Sequence, residues 1–379
     1  MQKAVLSIIT FSIISLTATP VFALTVSVSA KQELILTSKK CEELIHERNQ
    51  LCEWKKSLQP EFVIPKYINN TCLPAGKGSV KLHISECLPD FTKTYQNIKL
   101  VHDGPNCWGT AMSFKKLSIT PRFMWPEEIQ YWMESPLCRK LSPNEKLLPG
   151  DIINVYAPEK LDESELNARD AGSLFWDTLY PERYMKPEVA GYTGYHRLLH
   201  SVTFITPNIA FGKDSPSNLD KFYFHEMEQV YGRPRNEERE CQENQVMTPH
   251  IREYHKTPQK IRGSKCSYFS QAFRCENFNE YFAKDIATEN AKEIFKRVQA
   301  LQEIQKTLFP QLVSVKKLFT QTEINSMIST ADKSLDKATS GLKENKLDKT
   351  RERLFVMEYF SAAGIRQTLE QFNFVKPIK

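Results

Sequence analysis

Beyond its N-terminal segment, the 379-residue chain has no apolar run long enough to span a bilayer. It also lacks an internal repeat of fixed period and any low-complexity segment. The net charge of +6 is small for this length and does not indicate a nucleic-acid partner. The composition is that of an ordinary globular protein, with 41% apolar and 25% charged residues. The chain is long enough for two domains or for one large domain with insertions.

Residues 1–23 have the pattern of a signal peptide. Lys3 supplies the positive charge, residues 4–16 form the apolar core, and Val21-Phe22-Ala23 is a small-residue cleavage site. A retained membrane anchor is the alternative, but the apolar core is shorter than the ~20 residues a spanning helix needs. No cysteine follows the cleavage site directly, so a lipid anchor is not expected either. We therefore expect a secreted or periplasmic protein without a stable membrane anchor.

The cysteine count is odd, which matters in an exported chain because structural cysteines pair there. The nine cysteines are Cys41, Cys52, Cys72, Cys87, Cys107, Cys138, Cys241, Cys266 and Cys275. Cys107 differs from the others in lying in a small-residue turn just before a predicted helix. The sequence therefore predicts eight structural cysteines and one working thiol at Cys107, with the pairing of Cys107 as the alternative.

Residues 24–100 form an N-terminal region whose main feature is a predicted helix over residues 39–58. Cys41 and Cys52 lie on one face of it, about 16 Å apart along the axis, too far to bond each other. Cys72 and Cys87 flank the turn at residues 76–78. We expect the two helix cysteines to pair crosswise with these two. We expect this region to be a structural cap, with binding to substrate or to a cell wall as the alternative.

Residues 101–235 carry the candidate chemistry, and their element order predicts an α+β fold with an antiparallel sheet. A helix is predicted to follow Cys107, another begins at Pro126, and Cys138 is expected in a loop. The strands predicted after these helices cover residues 152–156, 200–206, 209–211 and 221–224. Residues 236–275 are predicted to be a polar, cysteine-containing connection, and residues 276–379 an α-helical C-terminal region.

A cysteine nucleophile needs a base, and the base needs a residue that orients it. Cys107 is the predicted nucleophile, because the positive end of the following helix favours a thiolate. His200 is the predicted base, and a hairpin after it would return Asp214 to its side as the orienter. The backbone N–H of Cys107 and one side-chain donor would bind the oxyanion, with Asn106 adjacent in sequence.

These motifs resemble the NlpC/P60 superfamily, a circularly permuted form of the papain-like cysteine peptidase fold, to which the CHAP amidases are related. Asn106-Cys107-Trp108-Gly109 stands where that family has Asp-Cys-Ser-Gly, Gly150-Asp151 matches its Gly-Asp turn, and residues 200–205 match its histidine strand. The resemblance covers about residues 101–225. It implies a papain-like core, no cofactor, and hydrolysis of an amide bond in peptidoglycan. The family's third polar residue falls on Gly212, Lys213 or Asp214, of which the last two are polar.

Aromatic residues cluster in the long connection before His200. We expect three of these residues and Trp108 to bind substrate, because aromatic faces stack on sugar rings. The three are Trp176, Tyr180 and Tyr192. The alternative is that these rings pack the connection onto the domain, because aromatic side chains bury large areas in any role.

Three other interpretations remain open from the residues alone. His196 and His200 have helical spacing for a zinc site, but the glutamate that zinc peptidases place after the first histidine is absent, so no metal is expected. The chain could instead be a catalytically inactive secreted binding protein on the same fold. It could also be a cysteine transferase or a peptidase that acts on a protein substrate rather than on peptidoglycan.

Overall fold

A computed structural model of the chain shows an α+β protein with antiparallel sheets, as the element order predicts. The structure describes residues 25–28, 34–64, 71–88, 98, 100–113, 120–142, 145–157, 197–206, 208–226, 269–313, 319–344 and 346–372. The predicted signal peptide lies outside these residues. Within them, no helix combines the length and the apolar composition that crossing a membrane requires.

The N-terminal region is a four-stranded antiparallel sheet with a helix packed on it. Its elements are β1 (Thr25–Val28), β2 (Leu34–Ser38), α1 (Cys41–Leu58), β3 (Leu73–Gly76) and β4 (Ser79–His83), with the strand order β1-β2-β4-β3. Disulfides join Cys41 to Cys72 and Cys52 to Cys87, which confirms that the two helix cysteines pair with the two that flank the turn. Both bridges fasten α1 to the β3–β4 segment.

The central sheet has six antiparallel strands in the order β5-β10-β6-β7-β8-β9. Its elements are α2 (Cys107–Ser113), α3 (Pro126–Glu134), β5 (Cys138–Lys140), β6 (Ile152–Ala157), β7 (Arg197–Thr206), β8 (Ile209–Gly212), β9 (Tyr223–Glu226) and β10 (Phe269–Cys275). Two predictions are wrong here. Cys138 begins a strand rather than lying in a loop, and residues 269–275 of the predicted polar connection form a strand inside the sheet. The two strands pair, and Cys138 is bonded to Cys275 directly opposite it.

The C-terminal region is helical, as predicted. It comprises α4 (Phe278–Asp285), α5 (Glu289–Val313), α6 (Gln321–Leu342) and α7 (Lys349–Gln371). Side chains begin three of these helices by accepting backbone N–H groups: Asn277 before α4, Thr320 in a capping box before α6, and Asp348 before α7. Residues of α7 share a hydrophobic core with α2 and α3, so these helices pack against the part of the chain that carries Cys107.

The two faces of the central sheet pack against different hydrophobic clusters. This difference shows on which face each residue near Cys107 lies. On the first, which we call the helix face, Ile152 packs in one core with residues of α2, α3 and α7. On the other, which we call the second face, Ile153, Val202 and Phe204 form a separate cluster with Leu141. Because neighbouring residues of a strand point to opposite faces, each residue of β6 and β7 can be assigned to one of them.

Candidate active site around Cys107

Asn106 fixes the turn that delivers Cys107. Its side-chain Oδ1 accepts the N–H of Gly109 at 3.0 Å, which caps α2, and also the N–H of Met124 at 3.2 Å. Its Nδ2 donates to the carbonyl oxygen of Met124 at 2.7 Å. Both polar atoms of this buried amide thus hold backbone.

Gly109 permits the closest contact around α2. A Cβ atom at this position would lie 1.8 Å from the carbonyl oxygen of Arg122, so only glycine allows the helix to approach that segment. The Arg122 side chain forms a buried ion pair with Glu128, and its Cδ would lie 3.0 Å from a Cβ placed on Gly364 in α7. The sequence motif Cys-Trp-Gly therefore encodes a packing requirement as well as a candidate nucleophile.

The segment before Cys107 is fastened to the loop that follows β8. Gly104 donates its N–H to the carbonyl oxygen of Pro216 at 2.9 Å. Asn218 donates its backbone N–H to Asp103 Oδ1, also at 2.9 Å. From the other side, the N–H of Val101 donates to a carbonyl at the end of α5 at 2.7 Å. The turn is thus held between the sheet end and the C-terminal helices.

Cys107 is the one cysteine outside a disulfide among those that the structure describes. Cys241 and Cys266 lie outside the described residues, so the prediction that these two are structural stays a prediction. The side chain of Cys107 is buried, with 4% of its surface exposed. Cys107 is therefore unpaired, as expected, but its side chain is not open to solvent.

Burial raises the pKa of the Cys107 thiol to about 12, and hydrogen bonds from the backbones of Ser201 and Trp108 lower it only in part. The nearby charge of Asp214 raises this pKa further. The helix that was expected to favour a thiolate has seven residues, and its positive end does not outweigh the cost of desolvation. Desolvation of the buried sulfur therefore opposes the thiolate that the start of the helix was expected to favour.

His200 and Asp214 come together as the hairpin predicts. His200 Nε2 and Asp214 Oδ1 are 4.0 Å apart, and the two side chains are 19% and 26% exposed. His200 is the fourth residue of β7 rather than its first, since the strand begins at Arg197. The hydroxyl of Tyr223 on β9 donates to Asp214 Oδ2 at 2.5 Å. The sequence analysis did not name Tyr223 as a site residue. Its position in the strand predicted after Asp214 could have indicated that it contacts this carboxylate.

The thiol and the imidazole belong to different faces of the sheet. His200 pairs with Val155, whose side chain packs in the second-face cluster. Its neighbour Ser201 belongs to the helix face, and it is the Ser201 backbone that hydrogen-bonds the Cys107 thiol. Because β8 ends at Gly212, the edge of β7 at Ser201 has no β8 partner strand. The candidate site thus lies across this edge, with Cys107 on one side and His200 with Asp214 on the other.

The Gly-Asp motif before β6 has a structural role. Gly150 has a φ of 92°, which favours glycine, and Asp151 follows it as a fully buried residue. The Asp151 carboxylate accepts two hydrogen bonds from Arg274 of β10, at 2.9 and 2.8 Å, and one from the N–H of Leu148 at 2.7 Å. Its oxygens therefore tie the start of β6 to β10.

Of the predicted substrate-binding residues, Trp108 is half-buried beside Cys107 and packs against the core of the helix face. Its indole Nε1 is buried and has no hydrogen-bond partner among the described residues. Trp176, Tyr180 and Tyr192 lie outside the described residues, as does His196 of the zinc alternative. Within the part of the chain that the structure describes, no group of three or more potential metal ligands occurs.

Comparisons of the chain with models of protein families, with curated proteins and with solved structures gave no match. The resemblance to the NlpC/P60 superfamily therefore stays a prediction, and function is argued from the geometry around Cys107.

Proposed function

We propose that the chain is an exported cysteine hydrolase that cleaves amide bonds in peptidoglycan. The observation that carries this proposal is the convergence at one strand edge of an unpaired cysteine at a helix start and a His200–Asp214 pair. The three disulfides are compatible with an exported protein. Peptidoglycan as the substrate follows from the sequence resemblance alone.

In the proposed reaction, His200 removes the proton from Cys107 Sγ as the sulfur attacks the carbonyl carbon of the scissile amide. The backbone N–H groups of Cys107 and Trp108 stabilise the negative oxygen that forms. The imidazolium then protonates the leaving amine, and an acyl-enzyme remains on the sulfur. A water molecule, deprotonated by His200, hydrolyses that thioester and restores the thiol. Asp214 holds the imidazole, and Tyr223 holds Asp214.

The burial of Cys107 sets two conditions for this mechanism. With a pKa of about 12 the thiol is neutral near pH 7, so its proton must leave during the attack and not beforehand. The His200 ring must also reach the sulfur past the end of β8, since strand alternation assigns the ring to the second face. Both conditions concern the same open edge of β7 at Ser201.

A second candidate function is a catalytically inactive binding protein on the same fold. The specific observations that favour it are the burial of Cys107, its raised pKa, and the position of His200 on the face opposite α2. In this case Cys107 would be a small core side chain, and the aromatic residues would bind the ligand without cleavage.

The test is release of soluble fragments from purified peptidoglycan sacculi by the full-length protein and its variants. We expect Cys107→Ala to abolish release and His200→Gln to lower the rate by about 10²–10⁴, the usual contribution of a general base. His83→Gln, at an exposed histidine of β4, is the matched control and should act as wild type. Equal release by wild type and Cys107→Ala would refute the cysteine mechanism. No release by either, combined with a Cys107 that resists alkylation in the folded protein, would favour the binding protein.

A further inference from the structure

Lys213 is a fully buried lysine that the proposed reaction does not use. It follows the last residue of β8 and has no exposed surface. Its ammonium group donates to the carbonyl oxygen of Ser217 at 2.7 Å and also to that of Ser215. A buried ammonium is costly unless it is hydrogen-bonded, and here both observed acceptors belong to the loop that follows β8.

This same loop holds the turn that carries Cys107. Pro216 accepts the N–H of Gly104, and the N–H of Asn218 donates to Asp103. The Lys213 ammonium group hydrogen-bonds the carbonyl oxygens on either side of Pro216. It therefore fixes the part of the loop that contacts the Cys107 turn. The lysine is therefore linked to the Cys107 turn through two successive layers of hydrogen bonds.

The register of the sheet assigns Lys213 to the face of the thiol. Thr203 pairs with Phe211, and Lys213 follows Phe211 by two residues, just past the end of β8 at Gly212. Thr203 donates to a carbonyl oxygen of α2, so Ser201 and Lys213 share the helix face, where the Ser201 backbone bonds the thiol. Asp214, the next residue, turns to His200 on the second face. The residues after β8 thus place the cation Lys213 on the face of the thiol and the anion Asp214 on the face of the imidazole.

The charges around Lys213 agree with this placement. Burial lowers the pKa of Lys213 to about 8, and the acidic groups of Asp220, Asp103, Cys107 and Asp214 raise it in that order. His200 and the hydroxyl of Tyr223 lie beyond Asp214, on its far side from Lys213. Cys107 is thus among the few ionisable groups close enough to act on the lysine.

We infer that Lys213 is a positioning residue for Cys107: it holds the loop of residues 213–220 against the Cys107 turn, and its ammonium is the counter-charge of the Cys107 thiolate on the helix face. The inference rests on the proposed function, because it describes how the same thiol is made reactive. Its test needs no substrate, so it can fail or succeed independently of peptidoglycan cleavage.

The experiment measures the rate at which N-ethylmaleimide modifies Cys107 in the folded, non-reduced protein, read from the mass of the Cys107 peptide, between pH 7 and pH 10. At pH 7 we expect Lys213→Met to react about tenfold more slowly than wild type, because losing a nearby positive charge raises a thiol pKa by about one unit or more. The difference should vanish toward pH 10, because wild-type Lys213 loses its proton near pH 8.

Two further variants separate charge from structure. Lys213→Arg keeps its charge over the whole range, so it should match wild type at pH 7 and react faster than wild type at pH 10. Lys221→Met, at an exposed lysine beside the same loop, should match wild type at every pH.

Three outcomes would overturn the inference. They are equal rates for Lys213→Met and wild type, a rate ratio that does not change with pH, and a faster reaction of Lys213→Met at pH 7. If thermal melting shows that Lys213→Met does not fold, the comparison of wild type with Lys213→Arg decides, since their rates must diverge above pH 8. Failure of Cys107→Ala to lower sacculus cleavage would refute the proposed hydrolase and leave this result unaffected.

Discussion

The two faces of β7 at the candidate site are built differently. On the helix face, Cys107 is 4% exposed, and the surrounding backbone is fixed by a glycine contact, an amide cap and a buried ion pair. On the second face, His200 and Asp214 are 19% and 26% exposed, and a tyrosine hydroxyl orients the carboxylate. The helix face is determined by close packing, whereas the second face depends on polar contacts near solvent. Changes on the first should therefore cost stability, and changes on the second should cost mainly chemistry.

The largest expected effect comes from breaking the buried ion pair beneath α2. Glu128→Ala leaves the Arg122 guanidinium without its carboxylate in the core, which should cost about 3–5 kcal/mol of unfolding free energy. Urea unfolding at pH 7 measures this. The control is Glu276→Ala, which removes an exposed pair with Lys284 and should cost about 0–1 kcal/mol. If both variants lost the same small amount of unfolding free energy, the conclusion that close packing determines the helix face would be wrong.

The next effect is the pH dependence that the buried thiol adds. A group whose pKa is raised on folding contributes stability below its unfolded pKa, and loses that contribution as pH rises toward its folded pKa. For Cys107 the window runs from about 9 to about 12. Between pH 8.5 and pH 10, wild type should therefore lose about 1 kcal/mol of unfolding free energy relative to Cys107→Ala, because the unfolded thiol ionises first. Parallel stability curves for the two proteins would show that the thiol is not desolvated.

The smallest expected effect is on the second face. Tyr223→Phe removes the hydroxyl that donates to Asp214, a half-exposed contact that should contribute about 1 kcal/mol or less to stability. Urea unfolding beside Glu128→Ala gives the comparison directly. A loss as large as that of Glu128→Ala would mean that the two faces do not differ in rigidity.

Local patterns predicted much of the fold. Apolar spacing located α1, and the length of that helix led to the correct disulfide partners of Cys41 and Cys52. Proline followed by acidic residues marked the start of α3. The hairpin after His200 brought Asp214 to its side, because a tight turn fixes which residues face each other.

What the sequence could not predict depends on contacts between distant segments. The burial of Cys107, and hence its raised pKa, results from the packing of α2 on β7 and β8. The close approach of Arg122 to Gly109 is a tertiary contact that leaves no local pattern. The face to which His200 belongs follows from its pairing with Val155, and a β-bulge shifts that register immediately beyond the pair.

The position of β10 in the sheet determines when the central sheet can be completed during synthesis of the chain. This strand lies between β5 and β6, so the central sheet cannot close until residue 275 has emerged. Cys138 then waits for a partner 137 residues later, which at ~5–20 residues per second is roughly 7–27 seconds of synthesis. Until β10 is in place, Cys138 lacks the partner that it has in the folded sheet. Arrival of β10 gives Cys138 its partner, and burial shields the Cys107 thiol from exchange.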